Sequence, residues 1–477
     1  MANAAGDGAS GGGATASDDD GRRPPAEAPA LRLFVADAEA SWGGSQARRD
    51  VHRALERDLG LLAGLLGGDD DVVLVPGGDA AAVMGRDGLV QGLRAIGLPC
   101  ATPVACDRDT CHVDDATAAR LALDRVGRLA PFAWTQPVAQ LLRPWIGRPG
   151  GPAVTSAEVQ RWIAAGRALG DKAAVPGLRA DLGAAGGALL SELPALLAVW
   201  QDAEAAGEAL VCKARFGSSG RDALRLMPGR SEPTAVQLGW LRRQLATHGG
   251  VVVERWWPRV ADLGRLYLPA PAAEGGLRPL PPHQSLCDAR GGFRGVAFGP
   301  EARAAAEAAL APQDDCAWAL RLDRAVQDRW RDAGFGPDAG VGVGVDLIVR
   351  ADGPPQTAPW PVEVNARFTL GHVAAALADR VAPGACGRLW LLGQPDARAA
   401  GAPLLELAQR LEASWPRSHG SGGLESGAVA LAAGEPAAVM PMLLVSPSEA
   451  ALAERWRAIA GVEVAALRLP LARSAGG

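Results

Sequence analysis

The sequence predicts an α/β protein assembled from more than one unit, and three observations carry that reading. From Leu31 onward strand and helix patterns alternate (LRLFVA, ARRDVHRALERDLGLLAGLL, DVVLVPGG, GLVQGLRAIGLP), as a small parallel sheet with crossover helices requires. Further along, LVCKAR with DALRLM and VGVDLIVR with WPVEVNA are strand pairs joined by Gly-containing loops with no helix between them. The chain has 477 residues, and at roughly 150 residues per domain that leaves room for about three units.

Taken in order, residues 1–29 are low in complexity, with Gly11-Gly12-Gly13 and Asp18-Asp19-Asp20, and cannot bury enough apolar surface to order. A small parallel α/β unit follows over 30–154. A main unit spans 155–400 and opens on a helix whose Thr155 and Glu158 have capping-box spacing, the pattern running to Asp171-Lys172. Within it, GVVVERWW and RLYLP read as strands and an alanine-rich helix lies near 301–333. A short C-terminal α/β extension, 401–477, carries a helix, a Ser/Gly linker at 418–427 and a strand-helix-strand pattern in which Ser446, Pro447 and Glu449 mark a helix start.

Composition narrows the function. With 48% hydrophobic and 21% charged residues and a net charge of −5, no basic face is available for nucleic acid, and no apolar run is long enough for a membrane span. The seven cysteines are odd in number and scattered, which reads as reduced thiols in a cytoplasmic protein. Cys106, Cys111 and His112 have the wrong spacing for a zinc knuckle. Of the 48 basic residues all but Lys172 and Lys213 are arginine, and the asparagines are Asn3 and Asn365 alone. Such a skew fits a GC-rich genome, and it draws attention to the survivors. Arginine serves any surface charge, whereas a compact ammonium against a phosphate or an amide oxygen on a metal is hard to replace.

Two constellations contain those survivors. In the first, Gly217-Ser218-Ser219-Gly220 joins two strands, so backbone amides and two hydroxyls could wrap phosphate oxygens. Lys213 precedes this loop on a strand, which excludes a P-loop, where the lysine follows the glycines and opens a helix. A lone GSSG is usually a plain hairpin turn, and the nearby lysine is what raises it above one. In the second, Glu363 and Asn365 share one face of the strand PVEVNAR, and Asp346 is the charged position of the preceding apolar strand. Two carboxylates and an amide oxygen on one apolar hairpin require a cation and suit Mg²⁺. Arg367, two residues on, offers a fork for phosphate or carboxylate.

Between these lies VVVERWWPRVADLG, where Glu254 could accept from an exocyclic amine, Trp257 could clasp a flat base and Asp262 could meet a ribose; a buried strand with an aromatic cap is the plainer alternative. The run Gly340, Gly342, Gly344 is not a dinucleotide fingerprint, because a strand rather than a helix follows it.

In this order the motifs resemble those of the ATP-grasp superfamily: Asp171-Lys172 before a lid subdomain over about 172–253, Lys213 ahead of the Ser218-Ser219 loop, Glu254 at the connector, Asp346 on a strand and Glu363-x-Asn365 on the next. The likeness covers roughly 155–395 and implies an ATP-grasp fold preceded by a small pre-ATP-grasp domain. It implies that Lys172 and Lys213 contact ATP, that 216–221 closes over the phosphates, and that Asp346, Glu363 and Asn365 bind Mg²⁺. Where some ligases of this type carry an arginine two residues before the strand aspartate, this chain has Gly344, so Arg290, Arg294 or Arg367 would hold the substrate anion.

The activity so implied is an ADP-forming carboxylate-amine ligase, joining an amino acid or peptide carboxylate to an amine through an acyl phosphate. Its partners are small molecules, and no reading of oligomeric state follows. A phosphotransferase using the same site, or a nucleotide-binding protein without turnover, are the alternatives.

Overall fold

The computed structural model describes residues 29–460, apart from 37, 44–49, 77–79, 107–112, 114–117, 119–122, 149–151, 218–221, 231, 272–275, 289–290, 312–316, 352–357, 421, 433–435 and 437. Ser218, Ser219, Gly220 and Arg290 therefore lie outside the described residues, as do Cys111 and His112.

Three sheets organise the chain. The first is parallel, with strands β1 (Ala30–Leu33), β2 (Val72–Pro76), β3 (Thr102–Cys106) and β4 (Arg128–Pro131) in the order β3-β2-β1-β4. The apolar runs of its inner strands are buried on both faces, as crossover helices require. The segment read as one helix from Ala47 is an α-helix at Asp50–Leu59 that tightens at Gly60 into a 3₁₀ stretch, Gly60–Leu66.

The second sheet contains β5 (Ala188–Leu190), β6 (Leu210–Ala214), β7 (Ala223–Leu226) and β8 (Val251–Arg255), antiparallel in the order β5-β8-β6-β7. The helices Leu193–Ala205 and Ala235–His248 bury Leu196, Trp200 and Leu241 against Cys212 and Val253, which gives this layer a core of its own. Thr234 and Gln237 close a capping box on the second helix, and Gly249 ends it at φ 66°, a left-handed position glycine occupies without strain.

The third sheet has ten strands: β9 (Arg259–Pro269), β10 (Leu277–Pro279), β11 (His283–Cys287), β12 (Phe293–Phe298), β13 (Val343–Arg350), β14 (Trp360–Asn365), β15 (Cys386–Gly393), β16 (Ser418–Gly420), β17 (Gly423–Ala430) and β18 (Val439–Ser446). They run β14-β13-β9-β11-β12-β15-β18-β17-β16, with β10 on β9. Within 418–427, read from sequence as a linker, residues 418–420 form β16 and 423–427 belong to β17. Pairing of β17 with the apolar β18 overrides the Ser/Gly composition of GLESGAVA, because Leu424, Ala428 and Val429 are all buried. The alanine-rich segment is likewise two helices, Pro300–Leu310 and Trp318–Asp332; Ala311 leaves helical geometry (φ −115°, ψ 70°) immediately before Pro312, as a residue preceding proline tends to do. The last helix, Glu449–Ala460, is capped by Ser448, whose hydroxyl accepts from Ala451 N at 3.2 Å. No helix among the described residues is long and apolar enough to cross a membrane.

Candidate functional site

The site is built where the second sheet meets β14. On β6, Lys213 lies one step from the Val211–Glu254 pair of β6 and β8. Its ammonium reaches Glu254 and donates to the Val362 carbonyl of β14 at 3.1 Å. Glu254 has a second cation, Arg179 of the helix Val175–Asp181, which is fully buried. Arg179 also donates to the carbonyls of Pro361 (2.8 Å) and Gly186 (2.9 Å) and lies 4.7 Å from the Trp360 ring centre. Burial works against ionisation of Glu254, and the two cations outweigh it, holding the carboxyl below its ordinary range.

Lys172 approaches the next residue of β14. Asp171 caps the short helix Lys172–Ala174 and pairs with Arg215, and this presents the Lys172 ammonium 2.9 Å from Glu363 while it also donates to the Gly217 carbonyl at the root of the glycine loop. The only two lysines of the chain thus converge on successive residues of one strand, Val362 and Glu363.

Glu363 stands directly opposite Asp346 in the β13–β14 ladder, and Asn365 opposite Gly344. The Asn365 amide donates to Asp346 at 3.1 Å, leaving its own oxygen available. Burial, and then the like charge of Glu363, push the Asp346 carboxyl up to about 7. Two facing carboxylates beside an amide oxygen form a hard-oxygen set that fits Mg²⁺ completed by water or substrate oxygens. Among the described residues no group of three or more His, Cys, Asp or Glu could hold a metal ion, so a metal here would rest on these two carboxylates and the amide oxygen together with water or substrate oxygens.

Arg367 follows on the loop after β14. Its Nε donates to Glu39 at 2.5 Å and its Nη1 to the Phe368 carbonyl at 3.1 Å. Burial opposes its charge, but Glu39, and then Glu363 and Asp346, hold its pKa above the ordinary value. A Cβ at Gly344 would lie 3.0 Å from Thr369 Cγ2, a tight contact to which the Thr369 side chain would have to yield.

Other expected residues are engaged differently. Arg294, at the irregularity in the β11–β12 ladder, pairs with Asp396 and lies 5.8 Å from the ring centre of Trp390, part of the core of the C-terminal layer. Asp262, the expected ribose acceptor, pairs with Arg259 at 2.6 Å and adds to the negative field on Asp346. Trp257 meets Trp360 edge-on at 6.0 Å, and the guanidiniums of Arg255 and Arg350 lie 4.1 and 4.7 Å from its ring centre, so its face is packed by cations. Arg179, Arg215 and Glu39 were missed in the sequence; the arginine bias that makes the lysines informative makes any single arginine uninformative.

No family model matches the sequence, and no curated protein aligns with it. Among solved structures, the biotin carboxylase–β-γ-ATP complex of Campylobacter jejuni superposes with a TM-score of 0.50 over 92% of this chain and 92% of that one, at 9% identity. The biotin carboxylase domain of 2-oxoglutarate carboxylase from Hydrogenobacter thermophilus, with MgADP, ADP and bicarbonate, gives 0.48 over 90% and 89% at 12% identity. N5-carboxyaminoimidazole synthetase from Staphylococcus aureus, with ADP, gives 0.47 over 91% and 97% at 11% identity. The likeness is one of fold: a parallel N-terminal sheet followed by an ATP-grasp arrangement.

Proposed function

We propose that the protein is an ATP- and Mg²⁺-dependent ligase that joins a carboxylate to an amine and releases ADP and phosphate. The observation that carries this is the convergence of Lys172 and Lys213 on β14, the strand that also bears Glu363 and Asn365. Cations for phosphate oxygens and oxygens for a divalent metal are thereby set within one strand's length of each other, as phosphoryl transfer demands.

In this reading Lys172 and Lys213 exchange their present partners, Glu363 and Glu254, for phosphate oxygens of ATP, and residues 216–221 cover them. Glu254, at the end of β8, marks the base end of the nucleotide site. Asp346, Glu363 and Asn365 would hold Mg²⁺, which when bound neutralises charge on the transferring phosphoryl group. Arg367 holds the substrate carboxylate beside it. The carboxylate oxygen attacks the γ-phosphorus, the bond to the ADP oxygen breaks, and an acyl phosphate forms. The amine then attacks the acyl carbon, phosphate leaves with the bonding pair, and the amine gives up its proton. Cys100, Cys212 and Cys386 are free buried thiols, and free cysteines fit a reducing compartment such as the cytoplasm. The test is ADP release from ATP and Mg²⁺ against a panel of carboxylic acids with and without an amine. Release that needs the acid and yields amide with the amine supports the proposal; transfer of phosphate to a stable product supports a phosphotransferase instead.

A further inference from the structure

Each carboxylate oxygen of Glu254 has its own cation: Lys213 takes Oε1 and Arg179 takes Oε2. The two cations differ in freedom. Lys213 has one further contact, to the Val362 carbonyl, and its ammonium is the group that the ligase reading moves onto a phosphate oxygen. Arg179 cannot follow it. Its Nε donates to the Pro361 carbonyl at 2.8 Å, its Nη1 to the Gly186 carbonyl at 2.9 Å and its Nη2 to Glu254, while the guanidinium lies 4.7 Å from the Trp360 ring centre. The side chain is 1% exposed. The backbone closes round this pair at Gly187, whose φ is 80° and where a Cβ would lie 2.8 Å from Arg179 Nη1 and 3.3 Å from Glu254 Cβ.

Once Lys213 turns to phosphate, Oε1 is left as an acceptor whose direction is fixed by the guanidinium on Oε2. Burial opposes the charge on Glu254, and the cations beside it hold the carboxyl below its ordinary range. An ionised carboxylate only accepts, whereas a protonated one also donates. The N–H of a 6-amino group therefore suits Oε1, and the oxygen of a 6-oxo group meets lone pairs with no proton between them.

We infer that Arg179 is a positioning residue for the nucleobase: by holding Glu254 Oε2 it presents Oε1 as a fixed acceptor, so that the site takes a 6-aminopurine nucleotide and refuses a 6-oxopurine one. This rests on the nucleotide site proposed above and adds the residue that sets its base. A buried group built to pair with one donor discriminates strongly against an analogue lacking it, because the group is then left unpaired.

The experiment titrates the full chain calorimetrically, in Mg²⁺, with ADP and with inosine 5′-diphosphate, whose ring carries a 6-oxo group in place of the 6-amino group. Expected for the wild type is at least tenfold tighter binding of ADP. Arg179→Lys keeps the charge but offers one ammonium where three fixed donors stood, and should shrink the preference below threefold. Glu254→Gln gives an independent reading. Arg179 should draw the amide carbonyl to the Oε2 position and turn the NH₂ toward the base, so that inosine diphosphate binds at least as tightly as ADP. Equal binding of the two diphosphates by the wild type, which needs no variant to fold, would overturn the inference. So would a preference of wild-type size in either variant, provided its circular dichroism is native; a merely structural Arg179 weakens both nucleotides together and leaves their ratio unmoved. In those cases the nucleotide site stands and its base-setting residue does not. A wild type that binds neither diphosphate refutes the site and the inference together.

Discussion

Glu254 is held by two cations, and replacing each in turn separates structure from nucleotide binding. Arg179→Ala removes a fully buried guanidinium that ties the helix Val175–Asp181 to Glu254, Gly186 and Pro361, and so to both the second sheet and β14. Breaking a buried ion pair by removing one partner costs about 3–5 kcal/mol. Lys213 remains on Glu254 in that variant, so the lower end, about 3 kcal/mol, is expected. Lys213→Ala leaves Arg179 on Glu254 but gives up its own ion pair with Glu254 and one carbonyl contact, at a smaller stability cost of about 1.5 kcal/mol because the ammonium is less deeply buried than the Arg179 guanidinium. Its larger effect falls on ATP: a hydrogen bond to a charged group is worth about 1.5–3 kcal/mol, or roughly 10- to 100-fold in affinity. Urea unfolding followed by near-UV circular dichroism, together with calorimetric titration of a non-hydrolysable ATP analogue, reads both quantities. The reasoning is refuted if Lys213→Ala binds the analogue as wild type does, or if Arg179→Ala is no less stable than Lys213→Ala.

Three further outcomes follow from the same geometry. Glu363→Gln removes the like charge facing Asp346 and one metal oxygen, and should raise the Mg²⁺ needed for half-maximal activity and lower the maximal rate; unchanged activity at low Mg²⁺ would place the metal elsewhere. His283 and His372 are buried with their pKa values lowered by desolvation to about 4 and about 3, so the unfolded chain takes up protons that the native one refuses. Stability should fall as pH drops from about 6.5 toward 4, by up to about 1.4 kcal/mol per pH unit for each histidine, and a urea midpoint that did not fall between pH 7 and pH 5 would contradict this. Arg367→Ala should lose amide formation far more than ATP affinity, measured by product assay beside analogue titration.

What could be read from the sequence depended on residue rarity and strand periodicity. Lys172, Lys213 and Asn365 stood out because the chain hardly uses those types, and Asp346 and Glu363 because a charge in an apolar strand needs a reason. Arg179 could not be found this way: GLRAD is an ordinary stretch among many arginines, and its importance comes from folding against Glu254 and Trp360. Glu39 was equally hidden, since its pairing with Arg367 spans 328 positions and exists only once the N-terminal sheet docks on the loop after β14. Arg294 looked available on a Gly-rich segment and is claimed by Asp396, a pairing no pattern announces. The hairpin of β16 and β17 was obscured by glycine and serine, whose poor strand preference is overcome by the buried partner strand β18.

Trapping of the acyl phosphate tests the central claim most directly. With ATP, Mg²⁺ and a productive acid, hydroxylamine should intercept the intermediate and give the corresponding hydroxamate in step with ADP. Arg367→Ala should give neither at more than a small fraction of the wild-type rate. ADP formed with an acceptor but accompanied by neither hydroxamate nor amide would contradict the ligase account and leave phosphoryl transfer as the reaction of this site.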